Sequence, residues 1–237
     1  MSEISIRSCE ETDEALDWST WRRWVAANAF GELIGLGGAA LVGFLAFTKI
    51  EALYGPIVMA LIMILAGTFL EGVVVGAAQW AVLRQAILQL RWQGWIGATA
   101  VGAFAAWLLG MVPSTMMAMT ETQETTATTQ PEISNLVVFG LAALMGLVLG
   151  SILALPQWWV LRRYVEHAFW WILANSFAWM VGMVLVFVGA SMIPEEGITT
   201  IVFLGLLTSL LLAGISVGAI HGLALIQLLK QRRNTWI

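Results

Sequence analysis

The chain has 237 residues, 59% hydrophobic and 11% charged, with a formal net charge of −4. A soluble domain carries about 25% charged residues, so this composition, with a mean hydropathy of +0.85, excludes an ordinary water-exposed globule. The single cysteine, Cys9, cannot form an internal disulfide, so nothing ties the fold to an oxidising compartment.

Residues 1–20 are polar and acidic (Glu3, Glu10, Glu11, Asp13, Glu14 and Asp17). They lack the basic start and short apolar run of a secretory signal and are expected to form a mobile cytoplasmic tail. Beyond them, about 20 apolar residues at 1.5 Å rise are needed to cross a bilayer core. Six stretches qualify: Trp24–Thr48, Ile57–Arg84, Trp95–Met117, Ser134–Arg162, Trp171–Ile193 and Thr199–Leu229. No two-residue apolar alternation marks barrel strands, and helices satisfy their own backbone in lipid. The expected fold is therefore all-α: a six-transmembrane-helix bundle over residues 21–230, followed by a short basic tail at 231–237.

The first span opens Trp24-Val25-Ala26-Ala27-Asn28-Ala29-Phe30-Gly31 and carries Glu32, with Gly31, Gly35 and Gly38 forming a small face. The second carries Glu71 and closes Gly72-x-x-x-Gly76-x-x-Gln79-Trp80-x-Val82-Leu83-Arg84. The third opens Trp95-Ile96-Gly97-Ala98-Thr99, echoing the first. A polar, low-complexity outer loop runs from about Pro113 to Pro131, and flexibility is its default. The fourth span repeats the second as Gly150-x-x-x-Ala154-x-x-Gln157-Trp158-x-Val160-Leu161-Arg162; Pro156 is expected to bend it. The fifth opens Trp171-Ile172-Leu173-Ala174-Asn175, and the sixth carries Gly214-x-x-x-Gly218-x-x-His221-Gly222. There His221 replaces the glutamine, and the Trp and Arg are lost.

These echoes define three tandem copies of one helical hairpin, about 21–91, 92–167 and 168–230. Each copy holds two spans, so successive copies enter with the same orientation as parallel repeats around an axis along the membrane normal. They can close into a pseudo-threefold ring or run in a line. The glycine faces are expected to carry close helix contacts.

Orientation follows from Lys and Arg. Arg7, Arg22, Arg23, Arg84, Arg91, Arg162, Arg163, Lys230, Arg232 and Arg233 share one face, and only Lys49 lies opposite. Glu51, Glu121, Glu124, Glu132, Glu195 and Glu196 fall on that opposite face. The positive-inside rule places both termini in the cytoplasm. Tryptophan is one-sided too: Trp18, Trp21, Trp24, Trp80, Trp92, Trp95, Trp158, Trp159, Trp170, Trp171 and Trp236 lie near the basic face. They read either as an anchor fixing helix depth or as a docking surface for a membrane partner.

Asn28 lies four residues inside Trp24, about 6 Å, and Gln79 five inside Arg84, about 7.5 Å, so their depths coincide in antiparallel helices. The repeat pairs Asn28 with Gln79, Thr99 with Gln157, and Asn175 with His221 as a polar layer below the basic face. Interhelical bonds of this kind are worth about 0.6–2 kcal/mol each. Glu32 and Glu71 occur only in the first copy, about 12 and 13.5 Å inward. Carboxylates at that depth are costly, so both are expected to face the interior, one or both protonated. They form either a proton or cation site or a hydrogen-bonded structural pair. His221, the only histidine within a span, reads either as a packing residue or as a ligand to haem or chlorophyll.

No zinc-binding His-Glu-x-x-His, glycine phosphate loop or serine elbow is present. No catalytic residue and no metal ligand set is expected, and the chain is not expected to be an enzyme. The basic residues are interfacial, which points to anionic lipid headgroups rather than nucleic acid.

The repeated Gln-Trp-x-Val-Leu-Arg phrase, followed by Trp-Ile-x-Ala, resembles a loose group of uncharacterised bacterial membrane proteins of cyanobacterial type, found in phototrophic lineages. The resemblance implies a bacterial inner membrane or an internal photosynthetic membrane, and no activity or ligand. The leading functional expectation is a non-enzymatic scaffold, assembly or accessory subunit. The alternatives are a small proton- or cation-linked transporter or channel using Glu32 and Glu71, with Asn28 and Gln79 beside them, and a cofactor-binding subunit through His221.

Overall fold

The computed structural model describes residues 3–121, 134–194 and 199–235, with side chains over 17–49, 53–119, 134–194 and 199–232. Glu124, Glu132, Glu195, Glu196, Trp236 and most of the outer loop fall outside what it describes, as does the side chain of Cys9. Among the described residues there is no strand, and six helices are long and apolar enough to cross a membrane: Asp17–Lys49, Leu53–Ala86, Trp92–Met119, Asn135–Leu161, Trp170–Ala190 and Thr200–Arg232. Every span expected from hydropathy is present, with ends shifted by a few residues.

The helix of the first span begins at Glu3, so the acidic stretch continues the helix backward instead of leaving it as a loose tail. The sequence permits this, because residues 3–30 contain no Pro or Gly. The sixth helix likewise runs on to Thr235. The first two spans are joined by a π-helical turn, Phe47–Glu51. The chain then breaks at Gly55, which takes φ 78° ahead of Pro56. A positive φ costs glycine little, and proline suits the first turn of the helix that follows. The fourth helix runs through Pro156 without interruption. The second holds a feature that hydropathy does not encode: Thr68–Val75 is π-helical, and Glu71 lies within it.

Each span packs against its neighbours in sequence, and the sixth packs against the first. The six helices thus close into a ring. Glycine sets how closely they approach. A Cβ on Gly72 would lie 2.6 Å from the Ala100 Cα, and one on Gly214 would lie 2.9 Å from the Ala29 Cα. A Cβ on Gly150 would overlap the Asn175 carbonyl oxygen and lie 2.9 Å from the Ser176 Cα. Ala100, Ala29 and Ser176 each stand five residues after the opening tryptophan of their hairpin. All three contacts join the second helix of one hairpin to the first helix of the next.

The core is thickest at the basic end of the bundle, where Trp24, Trp95 and Trp171 are fully buried among Leu83, Ile87, Leu161 and Leu225. Arg232 donates to the Ala86 carbonyl at 2.8 Å and to Gln89 Oε1 at 3.1 Å, and Lys230 pairs with Asp17 at 3.2 Å. These contacts tie the end of the sixth helix to the first span and to the turn between the second and third. Large apolar side chains such as Phe30, Leu41, Phe44, Leu65, Phe69, Leu108 and Phe177 are exposed on the outer surface, as a lipid-facing surface requires.

Candidate functional site

The helix openings bring three tryptophans to the ring axis. Trp171 meets Trp24 edge-on at 5.8 Å between ring centroids and Trp95 at 6.1 Å. A buried indole N–H needs an acceptor, and each finds one on the second helix of the preceding hairpin. Trp95 Nε1 donates to Gln79 Oε1 at 3.3 Å, Trp171 Nε1 to Gln157 Oε1 at 3.0 Å, and Trp24 Nε1 to His221 Nδ1 at 2.8 Å. The His221 ring nitrogen thus supplies Trp24 with the kind of acceptor that Gln79 and Gln157 supply to Trp95 and Trp171. With Nδ1 accepting, the neutral ring carries its proton on Nε2.

The expected polar layer is present in two of its three pairs. Gln79 Nε2 donates to Asn28 Oδ1 at 2.8 Å, and Gln157 Nε2 to Thr99 Oγ1 at 2.9 Å. Gln157 Nε2 also reaches Gln79 Oε1 at 3.1 Å, which joins the two pairs. Asn28, Thr99 and Asn175 each bond back to the carbonyl of their own opening tryptophan, at 2.8, 3.0 and 2.9 Å. Asn175 and His221 line the same cavity, but His221 uses Nδ1 for Trp24 rather than for Asn175.

The glutamine phrase has a second use. Four residues separate Trp80 from Arg84 and Trp158 from Arg162, one helical turn. The Arg84 guanidinium lies 4.9 Å over Trp80, and that of Arg162 lies 4.8 Å over Trp158. Glutamine therefore serves the interior while the adjacent tryptophan and arginine form a cation–π pair at the interface. The single-sided tryptophan set divides accordingly. Trp24, Trp95 and Trp171 are core residues, neither anchor nor docking surface, whereas Trp18, Trp92, Trp159 and Trp170 are exposed.

Further from the basic end the ring encloses a cavity of about 20 Å³ lined by all six spans. Glu32, Glu71, Gln79, Thr99, Gln157, Asn175 and His221 all reach it, with Trp179 and Ala103 standing where the other hairpins have no acid. A cavity of this size has room for about one water. It is far too small for a haem or chlorophyll on His221. Among the described residues, no group of three His, Cys, Asp or Glu could hold a metal.

The two carboxylates differ in their partners. Glu71 Oε2 accepts from Trp107 Nε1 at 2.8 Å. Glu32 Oε2 is buried with no hydrogen-bond partner among the described protein atoms. Small residues fix their positions. A Cβ on Gly35 would lie 3.0 Å from the Glu71 Cα, and one on Gly214 would lie 3.1 Å from the Glu32 Cβ. The first two spans thus approach closely at the depth of the acids. Residue depth placed Glu32 and Glu71 together, but the Trp107 bond and the π-helical register of Glu71 carry no periodic signal in the sequence. The tryptophan donors did carry one: a tryptophan opens every hairpin at a fixed distance from the polar position.

Six apolar spans with an interior polar site make this a multi-pass membrane protein. Comparison with protein-family models, curated proteins and solved structures finds no match, so the function is argued from the site.

The indole–acceptor reading of His221 makes a specific prediction. His221→Gln installs the side chain that accepts from Trp95 and Trp171 and should leave the thermal unfolding midpoint in detergent near that of the wild type. His221→Leu strands the Trp24 N–H, and a buried unpaired donor costs about 1–3 kcal/mol. Equal midpoints for the two variants would refute the assignment.

Proposed function

We propose that this chain binds and exchanges a proton at Glu32 and Glu71, as a small proton-linked transporter or channel. The observation that carries the reading is the buried Glu32 Oε2, which has no protein hydrogen-bond partner although Glu32 lines the same cavity as a second carboxylate. A structural pair would be expected to satisfy both acids, because an unpaired buried polar atom costs stability. No lysine or arginine lines this cavity, so a proton or a small cation must balance any carboxylate charge. Space for about one water favours the proton. Ionisable residues inside spans commonly mark proton or ion paths, and π-helical segments recur at functional sites. The π-helical stretch Thr68–Val75 gives Glu71 a backbone that can shift register during exchange.

In this reading the chain is three copies of one hairpin around an axis along the membrane normal, with the exchange site built into the first copy alone. Both termini are cytoplasmic, in a bacterial inner membrane or internal photosynthetic membrane. The acids then lie inward of the polar layer, which separates them from the cytoplasmic face.

The test is proton flux into liposomes carrying the purified chain, followed with an internal pH-sensitive dye under an imposed gradient. Wild type should conduct above empty liposomes, and the Glu32→Gln, Glu71→Gln double variant should fall to the empty-liposome rate. Wild-type flux equal to that of empty liposomes defeats the proposal. The buried cluster in which Trp24, Trp95 and Trp171 donate to His221, Gln79 and Gln157 and pack on one another favours the second reading, a scaffold or accessory subunit, which would then stand.

A further inference from the structure

The connection between the fourth and fifth spans and the end of the sixth helix border an open surface pocket of about 590 Å³ at the basic end. Arg162, Arg163, His167 and Arg232 line it with one acid, Glu166. Three arginines against one glutamate leave two positive charges in excess. Two of the guanidiniums are already positioned. Arg162 stacks 4.8 Å over Trp158 and 5.0 Å over Trp159. Arg232 is held by the Ala86 carbonyl at 2.8 Å and Gln89 Oε1 at 3.1 Å. A guanidinium held this way keeps further N–H groups for the oxygens of a phosphate, and its ordering cost is already met. Within the connection His167 takes φ 52°, in the left-handed region that histidine enters more readily than most non-glycine residues.

An apolar groove of about 430 Å³ lies beside this pocket, between the fifth and sixth spans. Trp170, Leu173 and Phe177 form one wall, and Ala224, Leu228 and Gln231 the other. From Trp170 to Phe177 the groove follows about 10 Å of helix into the bundle's apolar zone. Its mouth adjoins the basic pocket. The Trp170 ring packs on Phe169, a pocket residue, at 5.0 Å between centroids, and Gln231 is followed in the chain by Arg232.

We infer that the pocket and groove together bind one phospholipid with an anionic headgroup, its phosphate among Arg162, Arg163 and Arg232 and an acyl chain against Leu173 and Phe177. Charge complementarity selects the headgroup, as in other basic pockets at membrane interfaces. The adjoining apolar groove selects a lipid over free phosphate. The inference is independent of proton exchange at Glu32 and Glu71.

The full-length chain in neutral detergent is titrated with phosphatidylglycerol, phosphatidylcholine and inorganic phosphate, and bound species are counted by native mass spectrometry. Phosphatidylglycerol should bind in preference to phosphatidylcholine. Removing two charges in the Arg162→Gln, Arg163→Gln double variant should weaken phosphatidylglycerol by about 10- to 30-fold. Arg163→Gln alone should weaken it by about fivefold, which keeps the test open if the double variant misfolds. The control pair Arg84→Gln, Arg91→Gln removes the same charge elsewhere on this end and should leave binding unchanged. Leu173→Trp should lower lipid binding by filling the groove. Equal affinity for the two lipids, equal losses in the two arginine pairs, or displacement of phosphatidylglycerol by equimolar inorganic phosphate each overturns the inference.

Discussion

Gly150→Val is expected to stop the fourth and fifth spans from docking, so that little monodisperse protein is recovered from detergent extracts. A side-chain carbon at Gly150 would overlap the Asn175 carbonyl oxygen, with the Asn175 carbonyl carbon and the Ser176 Cα both at 2.9 Å. All three are backbone atoms, so no rotamer change relieves the overlap and the whole helix must move. Overpacking a core that can adjust by side-chain shifts costs about 1–3 kcal/mol, and the cost here should exceed that. Lipid supplies no compensating hydrophobic drive, because helices in a bilayer associate through close contact and hydrogen bonds. Gly150 lies two turns from Gln157 along one face, so the displacement would also strain the Trp171–Gln157 bond and open the tryptophan cluster. Gly140 on the same helix is the control: nothing lies within 4 Å of a Cβ there, and Gly140→Val should elute and melt like the wild type. Size-exclusion profiles and thermal midpoints of the two variants decide it. A Gly150→Val midpoint equal to that of Gly140→Val would show that the contact is not needed for assembly.

This contact also shows what the sequence could disclose. Composition and hydropathy were enough for six spans, because a bilayer imposes one length and one polarity. The repeat was enough for Asn28 with Gln79 and for Thr99 with Gln157, because equal depth in antiparallel helices leaves polar groups few other partners. It did not extend to Asn175 with His221. Depth says which residues share a layer, whereas the choice of partner depends on which neighbouring helix offers a donor. The indole donors come from the next hairpin around the ring, so they become visible only once the ring closes. Their position near the basic face also made Trp24, Trp95 and Trp171 resemble interface anchors, although all three are fully buried. The π-helical stretch around Glu71 was out of reach for another reason. It is a register shift in backbone hydrogen bonding, and residues 68–75 are as apolar as the turns on either side apart from Thr68 and Glu71.

On the proposed reading, the polar layer and the acid pair divide the interior into a supporting part and an exchanging part. The layer is nearly saturated: each glutamine is held by an indole and by a side chain of its own hairpin, and the indoles fix the helix ends. Saturated networks of this kind rigidify a core. The acid pair is held on one side only, through Trp107 and Glu71. A rigid ring with one unsatisfied group inside it is what a binding site supported by its scaffold should look like, since natural proteins give up stability chiefly where function demands it.

That division predicts opposite stability effects from two similar substitutions. Glu32→Met replaces a side chain bearing an unpartnered buried oxygen with an apolar one of comparable length. It should raise the thermal midpoint, because an unsatisfied buried polar group carries a penalty of about 1–3 kcal/mol that the thioether does not. Glu71→Met should lower the midpoint by a similar amount, because it strands the half-buried Trp107 N–H. Adding Trp107→Phe to Glu71→Met should recover part of that loss, since both partners of the bond are then gone. Both methionine variants should abolish proton flux. Thermal unfolding of the four proteins in one detergent, alongside the liposome assay, measures all of this together. If Glu32→Met destabilises the chain as Glu71→Met does, then Glu32 holds the bundle together and the exchange site has been misassigned. A stabilised chain that no longer conducts would instead identify Glu32 as a residue that costs the fold stability and is kept for its function.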